Sequence, residues 1–180
     1  MSKNINLIDE SLIKKPFFNE DHKKFVNNAL NLILNFYVNN LVTLTIFGSY
    51  ARGTFRFNSD LDVFIILKDK KPRKQIFDDF FEHIERPFLN DELYLYNKYG
   101  IDISLSPFIL SKNDADYFYP IYLDMLDFLI IIKDEKDFFK NILSNLHVIK
   151  NKYGFKKELS GNNYIWDITG KNMIGKKICG

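Results

Sequence analysis

The sequence contains few of the residues that build disulfide, zinc or membrane-spanning structures. Its one cysteine, Cys179, cannot form a disulfide within the chain, which favours a reducing, cytoplasmic setting. The three histidines, His22, His83 and His147, are scattered without the spacing of zinc ligands, so each is expected to be a core or surface residue. An apolar run such as FLIII at 128–132 is far too short to cross a bilayer. We therefore expect neither a zinc site nor a membrane contact.

The chain also has little net charge, +2 in total, although the charge is distributed unevenly. Residues 150–180 carry seven lysines and two acidic residues, which makes this end basic and leaves the rest of the chain slightly acidic. Lys171, Lys176 and Lys177 could contact a nucleotide or an acidic partner, or could belong to a solvated terminus. Because the basic patch is small, direct binding of nucleic acid is not expected.

Length and composition predict one domain over residues 1–180, since 46% hydrophobic residues suffice for a full core. No repeat, low-complexity tract or long linker divides it. Within this domain we expect a core at about 40–108, an extension at about 109–168 and a basic tail at 169–180.

The order of secondary structure follows from apolar periodicity and turn residues. We predict helices at 21–39, from Ser49, from Pro72 to about 86, around or after Pro120, and at 137–154. Strands are predicted up to Phe47, from Asp60 to 67, at 92–97, at 101–106 with Pro107 ending the strand, at 128–132 and at 164–168.

The most informative segment is 42–67, VTLTIFGSYARGTFRFNSDLDVFIIL. Its first half alternates apolar and smaller side chains, as a buried strand does, and stops at Gly48, where glycine lets the backbone approach a ligand closely. Ser49 is expected to begin a helix, where serine caps N–H groups and the helix start favours phosphate. The turn therefore predicts a phosphate site, although an ordinary strand-to-helix turn has the same local pattern.

Two aspartates begin the second strand of this segment. Side chains alternate along a strand, so Asp60 and Asp62 project from one face while Leu61 projects from the other. Like charges this close raise each other's pKa unless a cation lies between them, and carboxylate oxygens suit Mg²⁺ or Mn²⁺. The pair predicts a metal site, whereas either aspartate alone would be an ordinary solvated strand residue.

A third carboxylate is predicted from YGIDISLSPF at 99–108. Alternation there places Asp102 on the polar face of a strand that we expect beside the Asp60 strand. Two metal ions held by three carboxylates could clamp the attacking and leaving oxygens of a displacement at phosphorus. Asp102 could also be an exposed strand or turn residue following Gly100.

These parts together resemble the DNA polymerase beta nucleotidyltransferase superfamily, and the form GSYARG…SDLD is typical of its small members, the minimal nucleotidyltransferases. The resemblance implies an α/β (α+β) polymerase-beta-like fold, with a mixed sheet flanked by helices. It also implies nucleotide-binding and metal-binding roles for particular residues. The nucleotide contacts are Gly48 and Ser49, and the metal ligands and catalytic carboxylates are Asp60, Asp62 and Asp102. Arg52 could contact phosphate, or form an ion pair with an aspartate of the same site.

The downstream pattern from Ser106 to Ile168 resembles a prokaryotic branch of the same group, whose members commonly occur beside a HEPN-domain protein. What this resemblance implies is transfer of AMP from ATP to a hydroxyl of that protein, with Mg²⁺ as cofactor (two ions, or Mn²⁺) and an antitoxin role. Two alternatives remain open: a non-catalytic module that blocks its partner by contact, and transfer to a small molecule such as an aminoglycoside.

Overall fold

The computed structural model describes residues 15–69, 71–160, 163–168 and 173–178. Its first half contains helix α1 (Glu20–Phe36), strand β1 (Leu41–Ile46), helix α2 (Gly48–Arg52), strand β2 (Leu61–Leu67), helix α3 (Arg73–Phe80) and helix α4 (Leu89–Tyr99). Its second half contains β3 (Leu105–Ser111), α5 (Lys112–Ala115), α6 (Ile121–Asp127), β4 (Ile130–Asp134), α7 (Phe138–Tyr153), β5 (Lys156–Ser160) and β6 (Asn163–Asp167). A π-helical turn at Phe81–Glu85 and a 3-10 turn at Arg86–Phe88 join α3 to α4.

Four strands form one mixed sheet in the order β3-β2-β1-β4. β1 is antiparallel to both β2 and β4, whereas β2 and β3 are parallel. β5 and β6 form a separate antiparallel hairpin. The predicted fold class, a mixed α/β sheet flanked by helices, is confirmed.

The sheet is buried on both faces because the two side-chain rows of β2 enter different cores. Leu61, Val63 and Ile65 pack with α1 and α4, while Phe64 and Ile66 pack with α6 and α7. Because side chains alternate along β2, Asp62 lies on the same face of the sheet as Phe64, near the first residue of the strand. Within the described ranges, no helix is long and apolar enough to cross a membrane.

Most predicted elements are present, including α6 directly after Pro120 and α7 ending at Gly154. Two predictions at 92–106 are wrong. Residues 92–97 lie in α4, which has acidic residues in its first turn and ends at Gly100 in the left-handed conformation. β3 begins only at Leu105 and continues through Pro107 to Ser111, because β3 is an edge strand and one of its sides needs no N–H donors.

The described part of the basic tail, 173–178, packs against the protein. Met173 and Ile178 are buried, and the Ile178 N–H donates to the Asp116 carbonyl at 2.7 Å. The Phe118 N–H likewise donates to the Lys176 carbonyl at 2.8 Å. These contacts anchor the segment at both ends, whereas the residues between them, including Lys176 and Lys177, are exposed as the solvated-terminus alternative expected. Lys171 and Cys179 lie outside the described residues.

Candidate active site

The turn at Gly48 places the backbone directly against the Asp62 carboxylate. Gly48 has φ +65°, in the left-handed region, and a Cβ at this position would lie 1.9 Å from Asp62 Oδ2. The Phe47 N–H donates to the Asp62 carbonyl at 3.1 Å, which holds the turn beside β2. Both the conformation and the contact require glycine at this position.

The helix that follows starts one residue earlier than expected. α2 begins at Gly48 and its N-cap is Phe47, which provides no side-chain hydrogen bond. The predicted capping role of Ser49 is therefore wrong. Instead, the Ser49 backbone N–H donates to the Asp62 carboxylate, and the Ser49 side chain is half-buried at the start of the helix.

Asp62 is half-buried, and the pKa of its carboxyl group is subject to opposing effects. Burial raises its pKa, and the neighbouring charge of Asp60 raises it further. Hydrogen bonds from the Ser106 side chain and the Ser49 N–H, together with the positive charge of Arg52, lower it. The raised pKa shows that the charged form lacks full compensation, which is the condition that a bound cation relieves.

Two serines, Ser106 in β3 and Ser104 directly before it, lie beside the two aspartates. The parallel register pairs Asp62 with Ser106, and Ser104 Oγ donates to Asp60 Oδ1 at 2.8 Å. The sequence analysis gave neither serine a role, since the register of two distant strands has no local signal. The pair Asp60 and Asp62 is thus held at the edge where β2 and β3 begin.

Asp102 lies further along the same polar row, before β3 starts. It is exposed, and its N–H donates to the Phe57 carbonyl at 2.6 Å. Among the residues that the structure describes, no three His, Cys, Asp or Glu side chains are grouped to hold a metal ion. The carboxylate oxygens of Asp60 and Asp62 fit a hard divalent cation, which commonly takes one or two carboxylates plus substrate phosphates and waters. The role of Asp102 as a third ligand stays a prediction.

Arg52, at the end of α2, is exposed, and its charge reaches Asp62. Its charge lowers the pKa of Asp62, and its exposure leaves the guanidinium accessible to a phosphate, so both alternatives for Arg52 stay predictions.

Buried rings of Tyr50, Phe55 and His22 pack together and hold α2 in place. Tyr50 stacks on Phe55 with ring centroids 4.4 Å apart, and its hydroxyl lies 2.7 Å from His22 Nε2. The Phe18 N–H donates to His22 Nδ1 at 3.3 Å, so Nε2 carries the proton and donates to Tyr50. Burial lowers the pKa of His22 to about 4, which keeps this core histidine neutral.

Helix α4 adds an acidic residue that the sequence analysis missed. Glu92 Oε1 is buried and has no hydrogen-bond partner among the described residues. Burial raises the pKa of Glu92 to about 7, with further contributions from Glu85, Asp102 and Asp60. The residue was missed because 92–97 was interpreted as a strand.

Two other aspartates have structural partners. Asp124 Oδ1 accepts a hydrogen bond from Trp166 Nε1 at 3.0 Å, and Asp127 pairs with Lys157 at 2.7 Å. These contacts fasten the β5–β6 hairpin to α6, far along the chain from the Asp60 site.

Comparisons with known proteins were made with this geometry in hand. Residues 28–114 match the family model described as a nucleotidyltransferase domain. A Methanocaldococcus jannaschii protein named as a putative protein adenylyltransferase is 29% identical over 133 residues, which are 71% of this chain and 84% of that protein.

Solved structures are more distantly similar. A toxin-antitoxin structure with AMP-PNP has 14% identity over 71% of this chain and 91% of that chain, with a TM-score of 0.40. A complex of tri-AMPylated Shewanella oneidensis HEPN toxin with MNT antitoxin has 12% identity over 73% of this chain and 92% of that chain, with a TM-score of 0.37.

Proposed function

The chain carries a nucleotidyltransferase domain, and on this premise we propose that it transfers AMP from ATP to a hydroxyl group of a protein. The hydroxyl oxygen forms a bond to the α phosphorus of ATP. The bond from that phosphorus to the bridging oxygen breaks, and its electron pair leaves with pyrophosphate. The hydroxyl proton is released to solvent, so the products are the AMP-modified protein, pyrophosphate and a proton.

The contact between Gly48 and Asp62 carries this proposal. A backbone turn that has no room for a Cβ lies against the half-buried carboxylate of Asp62. The group proposed to bind phosphate and the group proposed to bind a metal ion are therefore neighbours. An ordinary strand-to-helix turn has no reason to be packed onto an acidic side chain. The arrangement supports binding of a triphosphate at the turn, beside the two aspartates.

We assign the triphosphate to Gly48 and Ser49, with Arg52 as an additional cationic contact. Because the Ser49 N–H already donates to Asp62, the Ser49 hydroxyl is the group that we expect to contact phosphate. Arg52 is exposed and close enough to influence Asp62, so its guanidinium can neutralise phosphate charge at the same edge.

Asp60 and Asp62 are the residues that would hold Mg²⁺ or Mn²⁺, with Asp102 as the further ligand that we propose. A divalent cation bound there supplies charge neutralisation at the phosphates and polarises the α phosphoryl group. The protein's own part is positional: Ser104 and Ser106 orient the two carboxylates, and Tyr50 and Phe55 fix α2 beneath the turn.

Two observations support a protein as the acceptor. The Methanocaldococcus jannaschii relative is named as a putative protein adenylyltransferase, and the sequence from Ser106 to Ile168 resembles the group that occurs beside HEPN-domain proteins. We therefore propose a HEPN-domain protein as the acceptor, and an antitoxin role for this chain.

The test uses ATP labelled on the α phosphate or, in a parallel reaction, on the γ phosphate. We expect the HEPN-domain protein encoded nearby to gain label only from the α phosphate, in the presence of Mg²⁺. Label from the γ phosphate would indicate phosphoryl transfer and contradict the proposal. A stable complex without any label would favour the non-catalytic binding module.

A further inference from the structure

Glu92 is a half-buried acid with one buried, unpaired carboxylate oxygen, and it lies outside the residues assigned to nucleotide and metal. Its Oε1 atom receives no hydrogen bond from any described residue, although a buried polar atom of this kind normally has one. Leaving a carboxylate oxygen unpaired costs free energy. A hydroxyl group of a molecule bound beside Glu92 could supply this hydrogen bond.

The surroundings of Glu92 form an open cleft of about 410 Å³. One wall comes from α4, and the other from the segment Asp102–Ser104 that leads into β3. Ser104 donates to Asp60, so the cleft adjoins the acidic pair. Asp102 lines the cleft, and both Asp102 and Asp60 act electrostatically on Glu92, which places the cleft beside the candidate metal ligands.

The outer surface of the same helix is apolar. Leu89, Leu93 and Tyr96 line the cleft and are 47%, 57% and 56% exposed. Their spacing of four and three residues places them on one face of α4. Exposed apolar side chains in a row beside a site fit a polypeptide partner better than a small polar molecule.

The charge of the cleft is one-sided. The described residues that line it include the carboxylates of Glu92 and Asp102 and no lysine or arginine, and Glu85 acts electrostatically on Glu92 as well. A segment that carries positive charge next to its apolar residues is the electrostatic complement of this lining.

From these contacts we infer that the α4 cleft is the acceptor subsite, in which Glu92 accepts a hydrogen bond from the hydroxyl of a basic, partly apolar polypeptide segment. The Leu89–Tyr96 face holds the flanking apolar residues. The inference rests on the proposed function, because it names the place from which the acceptor hydroxyl approaches. Glu92 thus acts as a positioning residue for the acceptor and has no role in holding the nucleotide.

The test measures peptide binding directly, with two synthetic peptides as probes. Each peptide has one tyrosine flanked by leucines, with lysines at the remaining positions of one peptide and glutamates at those of the other. Fluorescence anisotropy is recorded with the chain, a non-hydrolysable ATP analogue and Mg²⁺. The variants are Glu92→Gln and Leu93→Glu, and the matched control is Asp91→Asn on the exposed side of the same helix.

We expect the lysine peptide to bind the unaltered chain and Asp91→Asn alike, and to bind both cleft variants about tenfold more weakly. In Glu92→Gln a charged hydrogen-bond acceptor becomes a neutral amide oxygen, and in Leu93→Glu apolar contact is lost. The glutamate peptide should bind weakly throughout. Affinity for the ATP analogue should stay unchanged in Glu92→Gln, and the thermal midpoint should stay the same or rise because an uncompensated charge is removed. Weaker peptide binding without loss of stability separates acceptor binding from a purely structural role.

Equal peptide affinity for the unaltered chain and Glu92→Gln would overturn the inference, as would failure of the lysine peptide to bind the unaltered chain. Failure of the proposed function gives a different result. In that case no AMP reaches any protein while the pattern of peptide binding persists. If AMP transfer in Glu92→Gln has the same rate and the same KM for the acceptor as in the unaltered chain, the proposed function is supported but the assignment of the acceptor subsite is refuted.

Discussion

Replacement of Gly48 by alanine tests the contact on which the site depends. The new Cβ would lie 1.9 Å from Asp62 Oδ2 and 2.8 Å from Asp62 Cγ, and the residue would keep φ +65°. The left-handed conformation costs a non-glycine residue about 1–2 kcal/mol, and overpacking costs about 1–3 kcal/mol more. We therefore expect Gly48→Ala to lower the free energy of unfolding by about 2–5 kcal/mol.

Gly154 provides a matched control for this substitution. It has φ +66°, almost the same as Gly48, but a Cβ there meets no atom within 4 Å. Gly154→Ala should therefore lose only the conformational part, about 1–2 kcal/mol. Urea unfolding followed by circular dichroism measures both variants, and the difference between them isolates the clash with Asp62.

A double-mutant cycle identifies the partner in the clash. In Gly48→Ala combined with Asp62→Ala, the carboxylate is absent and most of the additional loss should be recovered, so the coupling energy should be about 1–3 kcal/mol. Equal losses in Gly48→Ala and Gly154→Ala, or additive effects of Gly48→Ala and Asp62→Ala, would refute the reasoning.

Three further predictions concern charge. Asp62→Asn should abolish AMP transfer while changing the free energy of unfolding by less than about 1 kcal/mol, because it removes a like charge beside Asp60; undiminished transfer would contradict this. Because the pKa of His22 falls from 6.5 unfolded to about 4 folded, about 3 kcal/mol of stability present above pH 6.5 should be lost as pH falls to 4. Urea unfolding at several pH values in this range should show a free energy of unfolding that depends less steeply on pH in His22→Phe than in the unaltered chain. Equal pH dependence in the two proteins would refute the lowered pKa of His22. Asp134 accepts the N–H groups of Phe139 and Lys140, so Asp134→Ala should cost about 1–2 kcal/mol in urea unfolding; no loss would contradict the capping role.

The elements that carry the first half of the candidate site were predictable because their signals are local. A strand that stops at glycine, and two aspartates that begin the next strand, are patterns within 42–67. The structure places Gly48 against Asp62, a contact that the sequence did not predict, and Ser49 is the second residue of α2 and not its cap.

The parts that could not be predicted depend on distant pairing. Ser106 lies beside Asp62 only through the register of β2 and β3. The leucines and tyrosines at 93–96 alternate as apolar and polar residues do in a strand. In the structure they lie in helix α4, where Leu95 is buried and both neighbouring tyrosines are exposed. Pro107 was expected to end a strand, and it is accommodated because β3 is at the sheet edge. Glu92 was not identified because residues 92–97 were predicted as a strand and not as part of α4.

The central claim is tested most directly by intact-mass spectrometry of the proposed acceptor, a HEPN-domain protein, after incubation with this chain, ATP and Mg²⁺. Asp62→Asn serves as the control enzyme. The account predicts a mass gain of one or more AMP groups with the unaltered chain and none with Asp62→Asn. An unchanged mass in both reactions, or an equal gain in both, would contradict it.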